Sequence, residues 1–414
     1  MSVVVEKEYR FIPPHRGSLI PSLIQRFRLV DLYLARKYGV VEHECRNLHR
    51  FMQACQEGKS ILLAPNHCRY SDPLVLGWPA RHAKTHLFAM ASWHLFSASR
   101  FQAYAIQKMG AFSVLREGID RQSLEMAIDI LGRAERPLIL FPEGATTRSN
   151  DRLYPLLDGV AFIARSAAKR RAKYDSGSVV IQPVAIKYLY HGDIATWVAN
   201  AMGRLEKELG WRPTKGQCLS SRVKRIIIAV FAMCEVRYLG RTATRSFHFR
   251  KDDLVRTLLD QAESRYGLSS KEEIEPLTRI RKLRSTLSTT LSSSSSLKER
   301  EVGRHYADIA DLAQRLHYFP HRCLDKSLIS ETEILEALEG LQEILLGRPD
   351  FPGPFKVIID FGEPIPATPD RCPRGDADPL LSQLAQSLSS MLGKLACESR
   401  FVDLNTIDRL DRHK

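Results

Sequence analysis

No uninterrupted apolar run in this chain reaches the ~18 residues that a membrane-spanning helix needs. The longest candidate, Ile226 to Cys234, falls far short, so any membrane contact is expected to be peripheral. No CxxC spacing occurs among the eight cysteines, which are scattered from Cys45 to Cys397. Neither a zinc site nor a disulfide framework is therefore signalled, and reduced thiols in a cytosolic setting are the plain reading. Met1 to Arg16 holds Glu6, Lys7, Glu8 and Arg10 and lacks an apolar signal core. No Gly-x-Ser-x-Gly motif supports a serine hydrolase. Gly58-Lys59-Ser60 resembles the tail of a phosphate loop, but Gln53 stands where its first glycine belongs and the segment precedes a strand. No nucleic-acid module appears, and no nucleic-acid partner is expected. His82 and His86 have no third ligand nearby, and His317 and His321 flank Pro320, so no metal is expected.

What the chain has in surplus is positive charge, 61 Lys+Arg against 47 Asp+Glu, a formal +14. That favours an anionic partner such as a membrane surface or a phosphorylated substrate; a solvated basic surface is the plain alternative. The length of 414 residues predicts one large domain with an insertion, or two domains.

Residues 17–57 read as helical, within an N-terminal segment 1–57. Ile20, Leu23, Phe27, Val30 and Leu34 recur at three- and four-residue steps, with Arg26, Arg28, Arg36 and Lys37 beside them. The stripe suits either an interfacial amphipathic helix or one packed on a sheet. From 58 to 190 strands alternate with helices, which predicts an α/β core: a mostly parallel or mixed central sheet flanked by helices. The expected strands are 60–65, 86–91, 111–115, 137–141 and 179–187. Residues 191–350 read as a helical insertion, with a Ser-rich stretch near 285–297 expected to be flexible. In the last segment, 351–414, Phe355 to Phe361 reads as a strand returning to the first sheet. A final helix is expected over about 378–399.

Two strands end in polar residues. Ile61-Leu62-Leu63-Ala64-Pro65 leads into Asn66-His67, with Asp72 five positions on; Leu138-Ile139-Leu140-Phe141 leads into Pro142-Glu143-Gly144. Open α/β folds place ligands at the carboxyl edge of their strands, so one site there is expected. A histidine with a carboxylate partner makes a general base near neutral pH. The spacing does not decide the matter, because Ser71-Asp72-Pro73 also reads as a helix cap followed by Pro in the first turn.

These segments together resemble the glycerolipid acyltransferases, the 1-acylglycerol-3-phosphate acyltransferase-like enzymes. Asn66-His67 to Asp72-Pro73 is similar to their first motif, Gly110-Ala111-Phe112-Ser113-Val114-Leu115-Arg116 to the second, Phe141-Pro142-Glu143-Gly144 to the third, and Val180-Ile181-Gln182-Pro183-Val184 to the fourth. The resemblance covers about 50–190 and resumes at 355–366. It implies that His67 is a general base oriented by Asp72, that Arg116 binds an acceptor phosphate, and that Glu143 and Gly144 shape the acceptor pocket. The family's third motif continues with Thr-Arg directly after Glu-Gly. Here Ala145-Thr146-Thr147-Arg148 follows, so Arg148 arrives late for a phosphate role. The implied reaction moves an acyl group from acyl-CoA or acyl-carrier protein to a lysophospholipid, lysophosphatidate first, without a cofactor, on the cytoplasmic face of an anionic membrane. An acceptor of another kind, such as an amino-lipid, or a non-catalytic lipid- or nucleic-acid-binding protein of the same fold, are the rival readings.

Overall fold

Strands with no polar face need cover on both sides. Ser60–Pro65 is buried at every position, and Val179–Tyr190 at every position except Leu189. The computed structural model describes residues 8–116, 118, 120–173, 177–212, 218–268, 274–293, 296–350, 353–370 and 378–405. Within them the strands are β1 (Val40–Arg46), β2 (Ser60–Pro65), β3 (Phe88–Ser92), β4 (Ala111–Val114), β5 (Leu138–Ile139), β6 (Val179–Tyr190), β7 (Leu328–Ser330), β8 (Phe355–Phe361), β9 (Ile365–Ala367) and β10 (Phe401–Asp403). The chain divides into two compact units. One holds Tyr9–His191 and Gly353–Glu398; the other holds Gly192–Pro352 and the segment from Ser399.

The first unit is built on a mixed sheet in the order β1-β8-β6-β2-β5-β3-β4, with β9 also on β6. Strands β6, β2, β5, β3 and β4 run parallel, and β8 runs antiparallel to β6 and parallel to β1. Helices Arg121–Arg133 and Gly159–Ala172 cover one face with Ile130, Leu131, Ile163 and Ala164, against Leu62, Phe88 and Phe112 of the strands. The second unit carries the helical insertion: Ile194–Glu208, Leu219–Leu239, Phe247–Arg265, Pro276–Ser293, Leu297–Tyr318 and Glu331–Leu346, with β7 and β10 paired antiparallel. Part of its basic character is internal. Glu206, Glu235 and Glu263 are buried and held by Arg222, Arg250 and Arg279 at 2.8, 2.7 and 2.6 Å. A mixed sheet with a helical insertion ahead of its last strands is the architecture that the alternation of elements predicts.

Two expectations are corrected. The 17–57 region is helical at Leu19–Arg26, Leu29–Tyr38 and Leu48–Gln56, but Val40–Arg46 is an edge strand. Gly39 makes the switch: its φ is +65°, and a Cβ there would come within 2.5 Å of the Gly353 backbone. Edge strands carry charge on positions that a core strand fills with apolar groups. Here Lys356 of β8 answers Glu44 at 2.8 Å and Glu42 at 3.5 Å. The Ser-rich stretch is not loose over its first part, since 285–293 forms the end of helix Pro276–Ser293. Leu287 and Leu291 are buried, and Thr289, Thr290 and Ser293 hydroxyls bond back to carbonyls one turn earlier at 3.1, 2.9 and 2.8 Å. Ser294 and Ser295 lie outside the described residues.

The opposite edge, β4, is covered by the chain's own N-terminal segment. The Ser113 N–H donates to the Ile12 carbonyl at 3.0 Å, and the Ile12 N–H to Ser113 Oγ at 2.8 Å. Asp120 locks this corner by accepting from the N–H groups of Leu115 and Ser123, each at 3.0 Å, and from the Tyr9 hydroxyl. It is therefore both the N-cap of the helix that follows and a buried clasp. Asp120→Ala is expected to destabilise the protein by about 2–3 kcal/mol in urea unfolding, because it leaves the part-buried Leu115 N–H without its acceptor as well as removing a cap. A loss below about 1 kcal/mol would show that only the cap matters.

Candidate active site

The carboxyl ends of β2, β4, β5 and β6 face one region, and each delivers a polar group to it. β2 ends at Pro65, and Asn66 prolongs its attachment to β6: Nδ2 donates to the Ile186 carbonyl at 3.0 Å and Oδ1 accepts from the Ile186 N–H at 2.7 Å. His67 follows directly on this clamp. A turn then brings Asp72 back, with the Asp72 N–H donating to the Arg69 carbonyl at 3.1 Å. The result is a 2.8 Å contact between His67 Nδ1 and Asp72 Oδ2. Asp72 is fully buried and the His67 side chain is 14% exposed.

Asp72 does not cap the following helix with its side chain. Its Oδ2 also accepts from the Arg69 N–H at 2.9 Å, and its Oδ1 from the Tyr188 hydroxyl at 2.7 Å. A carboxylate only accepts, so Nδ1 of His67 carries the proton and the Nε2 lone pair points the other way. There it meets Thr146 Oγ1 at 3.0 Å. The imidazole is stacked on Phe141, with ring centroids 3.9 Å apart and planes 23° from parallel. The ring plane is thus held by packing and both nitrogens are engaged.

Glu143 is the buried counterpart on the β5 side. Its Oε1 accepts from the His67 N–H at 2.8 Å and its Oε2 from the Tyr154 N–H at 3.0 Å. Burial pushes its carboxyl up to about 7; the two backbone N–H groups oppose this and the Asp72 charge adds to it. The Thr147 N–H donates to the His67 carbonyl at 2.8 Å, so the two loops are stitched on both sides of the histidine. Gly144 has φ +70°, and a Cβ there would lie 2.3 Å from Leu157. Its carbonyl accepts from Arg116 Nη1 at 3.0 Å, which joins the β4 loop to the β5 loop. Arg148 is positioned differently. It sits at φ +62°, with its guanidinium 4.4 Å from the centre of the Tyr70 ring, inside the turn between His67 and Asp72.

His67, Asp72, Glu143, Gly144 and Arg116 are thus linked through direct contacts, and Arg148 joins them through Tyr70. Sequence reasoning missed Thr146, Phe141 and Tyr188 as participants. Thr146 was visible as an extra hydroxyl after Glu143-Gly144. Tyr188 lies one residue beyond the strand end expected at 187, and its signal is a phenol inside an apolar run.

A deeply buried carboxylate aligning an imidazole, whose other nitrogen faces a hydroxyl, is an arrangement for removing a proton from an alcohol. Residues 43–187, which contain His67, Asp72, Glu143 and Thr146, match the acyltransferase family. The chain is also 34% identical over 115 residues to the 1-acyl-sn-glycerol-3-phosphate acyltransferase of Streptococcus pneumoniae. That alignment spans 28% of this chain and 40% of the bacterial enzyme's length.

Glu143 generates a prediction with a definite sign. Its folded carboxyl holds a proton up to about 7, against 4.5 for an ordinary glutamate. Between those values the native state binds more protons than the unfolded chain, so this group's contribution to stability falls as pH rises and then levels off. Glu143→Gln removes that slope and turns a donor towards the Tyr154 or His67 N–H, a cost of about 1–3 kcal/mol. Thermal melts across the window are expected to show the wild-type advantage over Glu143→Gln shrinking with rising pH. A constant difference would contradict the assignment.

Proposed function

We propose that the protein transfers a fatty acyl group from an acyl thioester to the hydroxyl of a lysophospholipid, with 1-acylglycerol-3-phosphate as acceptor. The observation that carries this reading is the hydrogen-bond chain from buried Asp72 through His67 to the Thr146 hydroxyl. The hydroxyl of Thr146 marks the position that the acceptor hydroxyl takes. His67 Nε2 removes the acceptor's proton as its oxygen attacks the thioester carbonyl. Asp72 stabilises the imidazolium that forms. The tetrahedral intermediate collapses with cleavage of the C–S bond, and the thiolate leaves as a stable anion that is protonated in solution. The donor is acyl-CoA or acyl-carrier protein.

Arg116 and Arg148 are the cations assigned to the acceptor's phosphate, for which a planar guanidinium suits paired contacts. Glu143 acts from behind, through the backbone of His67, and Gly144 lets the loop pass close to Leu157. The family match over residues 43–187 and the bacterial relative's named reaction support the substrate class.

The setting proposed is the surface of an anionic membrane. No helix of the described residues is long and apolar enough to cross one. Leu19, Leu23, Phe27, Leu29 and Leu32 are each half-exposed or more, with Arg26 and Arg28 beside them. Apolar side chains ringed by cations suit shallow insertion among lipid headgroups.

Two measurements follow. With purified protein, His67→Ala is expected to lower transfer to lysophosphatidate by roughly 10²–10⁴-fold while leaving the fold intact, the usual span for loss of a general base. Undiminished transfer would overturn the mechanism. Thr146→Val should retain most of the activity; its complete loss, with an acyl adduct on wild-type Thr146, would replace direct transfer by a covalent route. In co-sedimentation with phosphatidylglycerol vesicles, binding should weaken as salt rises. Leu23→Asp with Phe27→Asp should abolish it, and vesicle binding indifferent to both salt and these changes would refute the surface assignment.

A further inference from the structure

Tyr188 belongs to none of the motifs used so far, yet it completes the set of donors around Asp72. It is 1% exposed and lies on β6 beyond Val184, the last residue of that strand paired with β2. Its main chain is fixed by its N–H, which donates to Asn150 Oδ1 at 2.9 Å, and its ring meets Phe355 edge-on at 6.1 Å. Its hydroxyl has a single proton, which goes to Asp72 Oδ1 at 2.7 Å. Ser71 Oγ, 2.8 Å away, then donates to the phenolic oxygen.

The other two strong donors to Asp72, the imidazole of His67 and the N–H of Arg69, belong to the same turn as Asp72 itself. Neither of them joins the carboxylate directly to β6. Tyr188 comes from a different strand, 116 residues away in sequence. We propose that Tyr188 is a positioning residue for the His67–Asp72 pair: it ties the carboxylate to β6, so that Oδ2 is presented to the imidazole, and it draws negative charge from that carboxylate through Oδ1. The proposal rests on the reading of His67 as the general base.

The second effect has a sign. A proton donated to Oδ1 lowers the charge that Asp72 offers the imidazolium, and linked hydrogen bonds polarise one another. Without the phenol, Asp72 keeps more of its charge for the imidazolium and is the stronger partner for it. The other groups facing the pair are the Cys68 thiol, 3.8 Å from Asp72 Oδ1, the Glu143 carboxyl on the His67 N–H, and the Arg69 guanidinium over the Tyr188 ring. All of them remain in a Phe variant, which also keeps the ring's packing.

The test uses the full chain with Tyr188→Phe. The titration midpoint of the His67 ring, followed by carbon-13 NMR and assigned with His67→Gln, is expected to move up. In acyl transfer kcat should fall roughly tenfold with KM nearly unchanged, the rate equivalent of one hydrogen bond to a charged group. In an Asp72→Asn background the same change should cost nothing further. Ser71→Ala should shift both readings in the same direction by less, and it carries the test if Tyr188→Phe fails to fold. An unmoved His67 midpoint, or an equal loss of kcat in the Asp72→Asn background, overturns the proposal. The NMR reading needs no turnover. A shifted midpoint in a protein that acylates no acceptor would sink the acyltransferase reading and leave the Tyr188 coupling standing.

Discussion

Asp72 has no access to solvent, and a carboxylate in that position holds only if donors replace the water it has lost. Much of the site's architecture can be understood as the supply of those donors. The turn after β2 is wound tightly enough for the Arg69 N–H to reach Oδ2, the imidazole fills the same oxygen's second position, and β6 extends past β2 so that Tyr188 can reach Oδ1. The extension is itself held by polar groups in a buried place. Asn66 clamps Ile186, Asn150 takes the Tyr188 N–H, and the buried ammonium of Lys187 pairs with Asp151. Buried polar groups satisfied in this way define a unique geometry, because any displacement leaves several of them unpaired at once.

The loops after β2 and β5 are therefore one structure and not two. His67 gives its N–H to Glu143, receives the Thr147 N–H on its carbonyl, stacks on Phe141 and faces Thr146. A single residue is gripped at its N–H, its carbonyl, its ring face and its Nε2 by one short segment. This explains why a segment with two extra residues before its arginine can still build a coherent site. The contacts to His67 are made ahead of Arg148, and the arginine is carried on to Tyr70.

Much of the sheet was legible because buried strands announce themselves as apolar runs closed by Pro and Gly, as Ser60–Pro65 and Phe355–Phe361 do. Val40–Arg46 was not legible, since an edge strand bearing Glu42, Glu44 and Arg46 has the composition of an exposed helix and follows two helices directly. The Ser-rich segment misled in the opposite sense: two leucines a turn apart, Leu287 and Leu291, were enough to hold a helix that composition assigns to a linker. At the site, the polar residues at strand exits were in view, but spacing gave no means of seeing the turn that joins His67 to Asp72. The contribution of Tyr188 was hidden for a different reason. It depends on a contact across 116 residues, and a phenol inside an apolar run does not say which carboxylate it meets.

The sheet order also sets a timetable for synthesis. Every residue that meets at the site lies between Asn66 and Tyr188, on strands whose mutual pairing is complete before the helical insertion begins. β1 is different. It leaves the ribosome first among the strands, and its sheet partner is β8, whose residues pair with it across the whole insertion, as Val40 does with Phe355. During elongation β1 must wait, exposed and unpaired, while β2 to β6 are already paired with one another. The charges along it, which look wasteful on a finished edge, are then most valuable before the protein is complete, when they keep a nascent strand from pairing with the wrong neighbour.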